Sequence, residues 1–176
     1  GLLRYPENLF VVGTVNIDET TYMFSPKVLD RANVIEFKPE ENSVLDLFVN
    51  PADNENINPA SDGTAEAFEK MAALIRTGKS NLDVDILVGI QSVFKRIYEI
   101  VEKSGYEFAY RTVREIRQYL SAAYELTEDK ETFDFYSIID EQLIQKILPK
   151  IHGNNKEIGG LLEELGTLCE EYNLPL

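Results

Sequence analysis

The apolar positions of this chain follow two rhythms, one near its start and another through the remainder. Leu9-Phe10-Val11-Val12-Gly13-Thr14-Val15 is a nearly unbroken apolar run of strand length, and Asn33-Val34-Ile35-Glu36-Phe37 is a second. Val-rich runs without alternation are the pattern of strands buried on both faces, as in parallel sheets. Between them, Asn16-Ile17-Asp18-Glu19-Thr20-Thr21 is a polar tip, and Ser25-Pro26 opens a short helix that runs to Arg31. Ser is a good N-cap there, and Pro sits in the first turn, where its missing N–H is no loss. The connection over residues 16–32 exceeds the dozen or so residues that a parallel crossover needs. The pattern predicts a β-α-β unit. Two strands do not make a stable sheet in water, so further strands are expected from before Gly1 or from another chain.

After Phe37 the rhythm becomes helical. Val44 to Val49 reads as a short helix, and residues 50–63, with Pro51, Pro59 and Gly63, read as a polar loop or hinge. Thr64 to Thr77 carries Ala67, Phe68, Met71, Leu74 and Ile75 at helical spacing and is closed by Gly78. Asp85 to Lys103 aligns Ile86, Leu87, Ile90, Val93, Phe94, Ile97 and Val101, with Gly105 beyond its end. Tyr110 to Leu126 turns Val113, Ile116, Tyr119, Leu120 and Ala123 inward. Phe133 to Ile147 is stopped by Pro149, and Asn154 to Tyr172 carries Ile158, Leu161, Leu162, Leu165 and Leu168. The expected fold is mainly α with a small parallel β portion: residues 1–50 an α/β part, 51–63 a linker, 64–176 a helical bundle.

Composition narrows the function classes. With 17 Lys and Arg against 31 Asp and Glu, the formal net charge is −14 over 176 residues. Phosphate backbones are held by cations, which argues against direct DNA contact by this segment. The same charge argues against an anionic membrane surface. No apolar run approaches the roughly 18 residues of a membrane span, and the first residues lack the features of a signal peptide. A single cysteine, Cys169, fits a reducing, cytoplasmic setting and reads as a small buried apolar residue.

Few residues offer chemistry. Gly78-Lys79-Ser80 is not a phosphate loop, because Ala73 stands where the first glycine is needed and a helix precedes it. No Asp-Glu pair ends an apolar run to hold magnesium. His152, the only histidine, has no second ligand at metal spacing and reads as a helix C-cap residue; no metal site is expected. Asn16, at the end of the first apolar run, either caps its loop or orients a water or phosphate oxygen without adding charge. Arg31 is either a helix C-terminal cation beside Asp30 or an arginine finger reaching a neighbour's phosphate. Arg111 sits in the first turn of its helix, either paired with Glu115 on the surface or holding an anion.

Gly13-Thr14-Val15-Asn16-Ile17-Asp18-Glu19-Thr20-Thr21, then Phe24-Ser25-Pro26-Lys27-Val28-Leu29-Asp30-Arg31-Ala32-Asn33, resembles the second half of an AAA+ ATPase core. More narrowly it resembles the McrB-like branch, related to the GTPase subunit of 5-methylcytosine-specific restriction systems. Phe108-Ala109-Tyr110-Arg111-Thr112-Val113-Arg114-Glu115-Ile116 looks like the start of that family's lid helix. Ile147-Leu148-Pro149-Lys150-Ile151-His152-Gly153 resembles the end of its lid. The resemblance implies a sensor 1 strand, helix and last strand of the α/β core, followed by a helical lid. It assigns Asn16 and Arg31 to catalysis, the first placing water and the second acting at a subunit boundary, and Arg111 and Arg114 to nucleotide binding. It implies ATP or GTP with Mg2+ in a longer parent, neighbouring subunits of a homo-oligomeric ring, and a McrC-like nuclease partner. Lacking the phosphate loop and the magnesium-binding acids, this chain is not expected to hydrolyse nucleotide by itself. Two other readings stand beside it: an acidic helical interaction module with no nucleotide role, and a MoxR-like AAA+ chaperone.

Overall fold

A computed structural model describes residue 6 and residues 9–15, 24–37, 59–77 and 82–174. Its helices are α1 (Pro26–Leu29), α2 (Thr64–Arg76), α3 (Val84–Glu102), α4 (Tyr110–Leu126), α5 (Phe135–Gln142) and α6 (Asn155–Glu171). Three starts follow from side-chain caps. Asp83 accepts the Asp85 N–H at 2.9 Å ahead of α3, and Asp134 accepts the Tyr136 N–H at 3.0 Å ahead of α5. Asn154 and Glu157 form a capping box ahead of α6. The end of α3 is set by Gly105, at φ 76°. There the Tyr106 N–H reaches back to the Val101 carbonyl at 3.0 Å, the six-to-one bond of a Schellman motif.

Four segments build one core. Ile90, Val93, Ile97 and Val101 of α3 meet Ile116 and Leu120 of α4, Ile139 of α5 with Leu143 and Ile147 beyond it, and Leu161, Leu165, Leu168 and Cys169 of α6. Each large apolar side chain withdrawn from water contributes about 1.5–3 kcal/mol. At Gly89 the Phe135 ring lies close, 3.1 Å from where a Cβ would stand, so α3 and α5 approach tightly at that point.

The run predicted as one helix from Phe133 to Ile147 is three elements. α5 ends at Gln142, Leu143–Ile147 is a π-turn, and Leu148–Lys150 is a 3-10 turn. Pro149 has no N–H to offer the Gln145 carbonyl four residues earlier. That carbonyl instead accepts the Val34 N–H at 3.2 Å. A break set by one proline thus becomes the docking point for the N-terminal segment.

That segment corrects the fold expectation. Among the described residues there is no strand, so the small parallel β portion, and with it the tail of an AAA+ α/β core in this chain, is overturned. Residues 11–15 and 32–37 form no ladder, and Val11 and Val12 are 88% and 89% exposed rather than buried. The physical reason is that apolar content does not make a strand: backbone groups need a neighbour to pair with, and among the described residues none is supplied. The helix predicted from Ser25 to Arg31 is the single turn α1, with Asp30 and Arg31 in the turn that follows. The helix expected from Thr64 is present as α2, but its apolar stripe stays largely uncovered: no residue of that helix is buried and Phe68 is 56% exposed. Asn16, the Val44–Val49 helix, most of the hinge and Gly78-Lys79-Ser80 lie outside the described residues. No helix among the described residues is long and apolar enough to cross a membrane.

Candidate functional site

The first turns of α4 meet polar side chains from two other segments. Arg111, Thr112, Arg114 and Glu115 come from α4, Lys146 and Lys150 from the π- and 3-10 turns, and Asp30 and Arg31 from the turn after α1. Thr112 is fully buried. Its hydroxyl donates to Asp30 Oδ1 at 3.2 Å and accepts from Lys150 Nζ at 3.1 Å. Lys150 Nζ also donates to Asp30 Oδ1 at 3.1 Å, and Arg111 Nη1 lies 3.9 Å from Asp30 Oδ2. One carboxylate is therefore met by an ammonium, a hydroxyl and a guanidinium. The Lys150 hydrogen bond holds the Asp30 carboxyl below its ordinary range against the opposing effect of burial, with Thr112 and the charges of Lys150 and Arg111 adding to it.

One turn along α4, Lys146 is 2% exposed and its Nζ donates to Glu115 Oε2. Glu115 therefore serves Lys146, while Arg111 turns to Asp30. Arg31 lines a separate depression of about 380 Å3 with Asn33, Glu115, Tyr119 and Lys146. Arg114 is exposed three residues beyond Arg111, on the same side of the helix. Two cations, Lys150 and Arg111, and the Thr112 hydroxyl thus meet at Asp30, while Lys146 is matched by Glu115.

Family comparison adds one finding. A protein-family model described as a domain of unknown function, DUF8727, matches residues 62–175, about two-thirds of the chain. The chain belongs to that family. The DUF8727 span carries Arg111, Thr112, Arg114, Glu115, Lys146 and Lys150, while Asp30 and Arg31 precede it. No curated protein and no solved structure matches.

Of the predicted site residues, Asn16 lies outside the described residues, Arg31 lines the depression beside Glu115 and Tyr119, Arg111 lies 3.9 Å from Asp30, and Arg114 is exposed. Sequence reasoning missed Asp30, Thr112, Lys146 and Lys150. The signal for Lys150 was its place after Pro149, where a cation follows a forced helix break. Thr112 gave none.

The other titratable groups offer less. Burial pushes the Cys169 thiol up to about 11, with Asp140 adding to it, so this thiol is not a nucleophile at neutral pH. Burial, then the charge of Glu141, raises Asp140, which is 6% exposed and whose Oδ1 has no hydrogen-bond partner among the described residues. The His152 ring is exposed, with Nδ1 2.9 Å from the Lys150 carbonyl. Among the described residues no three His, Cys, Asp or Glu side chains cluster at metal-holding distance.

Proposed function

We propose that this DUF8727 chain is the helical lid of a McrB-like nucleotide hydrolase, holding nucleotide phosphates at the start of α4 with Arg111 and Arg114. The observation that carries it is the convergence of Lys150, Thr112 and Arg111 on the Asp30 carboxylate beside the start of α4. Cations in the first turn of a helix are disfavoured by the helix dipole unless an anion joins them, and here an anion, Asp30, is already drawn in. In this reading Arg31 reaches the nucleotide of a neighbouring subunit in a homo-oligomeric ring, Asn16 orients the attacking water, and Mg2+ arrives with ATP or GTP. The motor would serve a cytoplasmic restriction or defence system with a McrC-like nuclease.

The test is a calorimetric titration of the chain with Mg2+·ATP and Mg2+·GTP. The expected Kd for one of them is on the order of 1 mM or tighter. Arg111→Ala should weaken binding about 10- to 100-fold, the worth of a charged hydrogen bond. Arg31→Ala should leave binding by the single chain unchanged, and in the assembled hydrolase it should lower turnover about 10³- to 10⁵-fold. Heat-silent titrations with both nucleotides, together with no shift in thermal unfolding, would remove the proposal.

One observation favours the interaction-module reading. Leu87, Phe94 and Tyr98 of α3 and Val113 and Ile116 of α4 line an apolar groove of about 340 Å3, a shape that suits a partner helix. Nucleotide binding separates the two readings, because a docking module would bind none.

A further inference from the structure

Asp30 and Lys150 also line a cleft next to the anion-holding cluster. It is about 610 Å3 and is walled by Phe24, Lys27, Asp30, Tyr106, Lys150 and His152. Small-molecule sites occupy roughly 300–1,000 Å3. Its wall combines two cations, Lys27 and Lys150, and two carboxylates, Asp30 and Glu107, with three rings: Phe24 is 42% exposed, and Tyr106 and His152 meet edge to face at 5.8 Å. Cations with accessible ring faces are what a nucleotide requires, phosphate at one end and base at the other.

We propose that this cleft takes the nucleotide, and that Asp30 is a built-in competitor for the place of one phosphoryl group. The inference rests on the nucleotide reading above. Lys150 Nζ at 3.1 Å, Thr112 Oγ1 at 3.2 Å and Arg111 Nη1 at 3.9 Å converge on the Asp30 carboxylate. Carboxylate and phosphoryl oxygens are acceptors for the same donors, so the arrangement is an anion site filled from within the chain.

The competitor is lightly held. Its side chain is 36% exposed, and α1, only four residues long, is far below the length at which a helix holds itself in water. Val28, Ile35 and Phe37 around it are 45%, 65% and 89% exposed. The backbone tie from Val34 to Gln145 at 3.2 Å anchors the segment next to Lys146. A phosphate entering beside Lys150 meets the Asp30 charge at close range, and one of the two anions must leave. Binding therefore frees Asp30 and loosens the segment behind it, which couples nucleotide occupancy to the position of Arg31.

The experiment is a titration of the whole chain with Mg2+·ATP and, separately, inorganic pyrophosphate, with hydrogen exchange read at the Val34 amide. Asp30→Asn should bind both at least 10-fold more tightly than the parent chain. Glu107→Gln neutralises another acid of the cleft wall that does not touch Lys150, and should change affinity less than 3-fold. Phe24→Ala should weaken ATP at least 5-fold and leave pyrophosphate unchanged. Saturating ATP should speed Val34 exchange in the parent chain. Equal gains from Asp30→Asn and Glu107→Gln would overturn the competitor, showing only a diffuse field effect. Parent-chain ATP binding that Asp30→Asn does not tighten would overturn it as well, with the nucleotide reading left standing. Absence of ATP binding by parent and variant alike would overturn both.

Discussion

Lys146 and Glu115 set the stakes at the level of single side chains. An ammonium 2% exposed survives only with its counter-charge, and removing one member of a buried pair costs about 3–5 kcal/mol. Glu115→Ala should therefore lower unfolding free energy by about 3 kcal/mol in urea, the low end because Glu115 keeps a 25% exposed side chain. Replacing both as Lys146→Met with Glu115→Leu should recover most of that. A single variant within 1 kcal/mol of the parent would show that the pair is solvated.

Asp30 and Asp140 pull stability in opposite directions with pH. The Asp30 carboxyl is lowered, chiefly by the Lys150 hydrogen bond. Its contribution is present above the ordinary carboxylate value of about 3.9 and fades as pH falls through the lower folded value. Asp140 is raised by burial and by Glu141, so it binds its proton more readily when folded. Its cost is absent below about 3.9 and grows as pH rises through the raised folded value. Asp140→Asn should accordingly stabilise the chain at pH 7 and flatten the decline in stability as pH rises above the ordinary carboxylate value, measured as unfolding free energy across pH. An unchanged slope would mean that Asp140 is hydrated.

At the level of elements, the helices were legible from their apolar spacing, and α3, α5 and α6 also carry a capping side chain at their start. Asn154 with Glu157 spells a capping box, and the α6 range Asn155–Glu171 follows from it. Asn154→Ala should cost about 1 kcal/mol, read as a shift in denaturation midpoint with an unchanged slope; a loss below 0.3 kcal/mol would mean that packing alone sets the start of α6. The same logic failed for the expected strands. A helix closes its own hydrogen bonds, whereas a strand depends on a partner that a sequence does not display. Residues 9–15 have strand composition and no ladder. The π-turn at Leu143–Ile147 was equally unreadable, because a one-residue widening leaves the apolar spacing almost intact. α2 had a clear stripe and buries none of it, since periodicity says which face is apolar but not whether anything covers it.

For the molecule as a whole, the helical bundle was readable and the site was only half so. Arg31 and Arg111 were singled out by position, but the residue between them was not. Asp30 reaches Thr112 across 82 positions and Lys150 across 120, contacts that no local pattern encodes. Composition offered no pointer, because a net charge of −14 does not say that Arg111, Lys150 and Asp30 meet from three separate segments. The bundle places those cations where a helix start, a buried hydroxyl and an adjoining cleft coincide, and that coincidence is what the nucleotide reading stands on.

The most direct test is to follow backbone resonances of the chain while Mg2+·ATP is added. The account predicts saturable shifts centred on Arg111, Thr112 and Lys150, spreading to Asp30 and Tyr106. Shifts confined to the α3–α4 groove around Phe94 and Val113, or none at millimolar nucleotide, would contradict it.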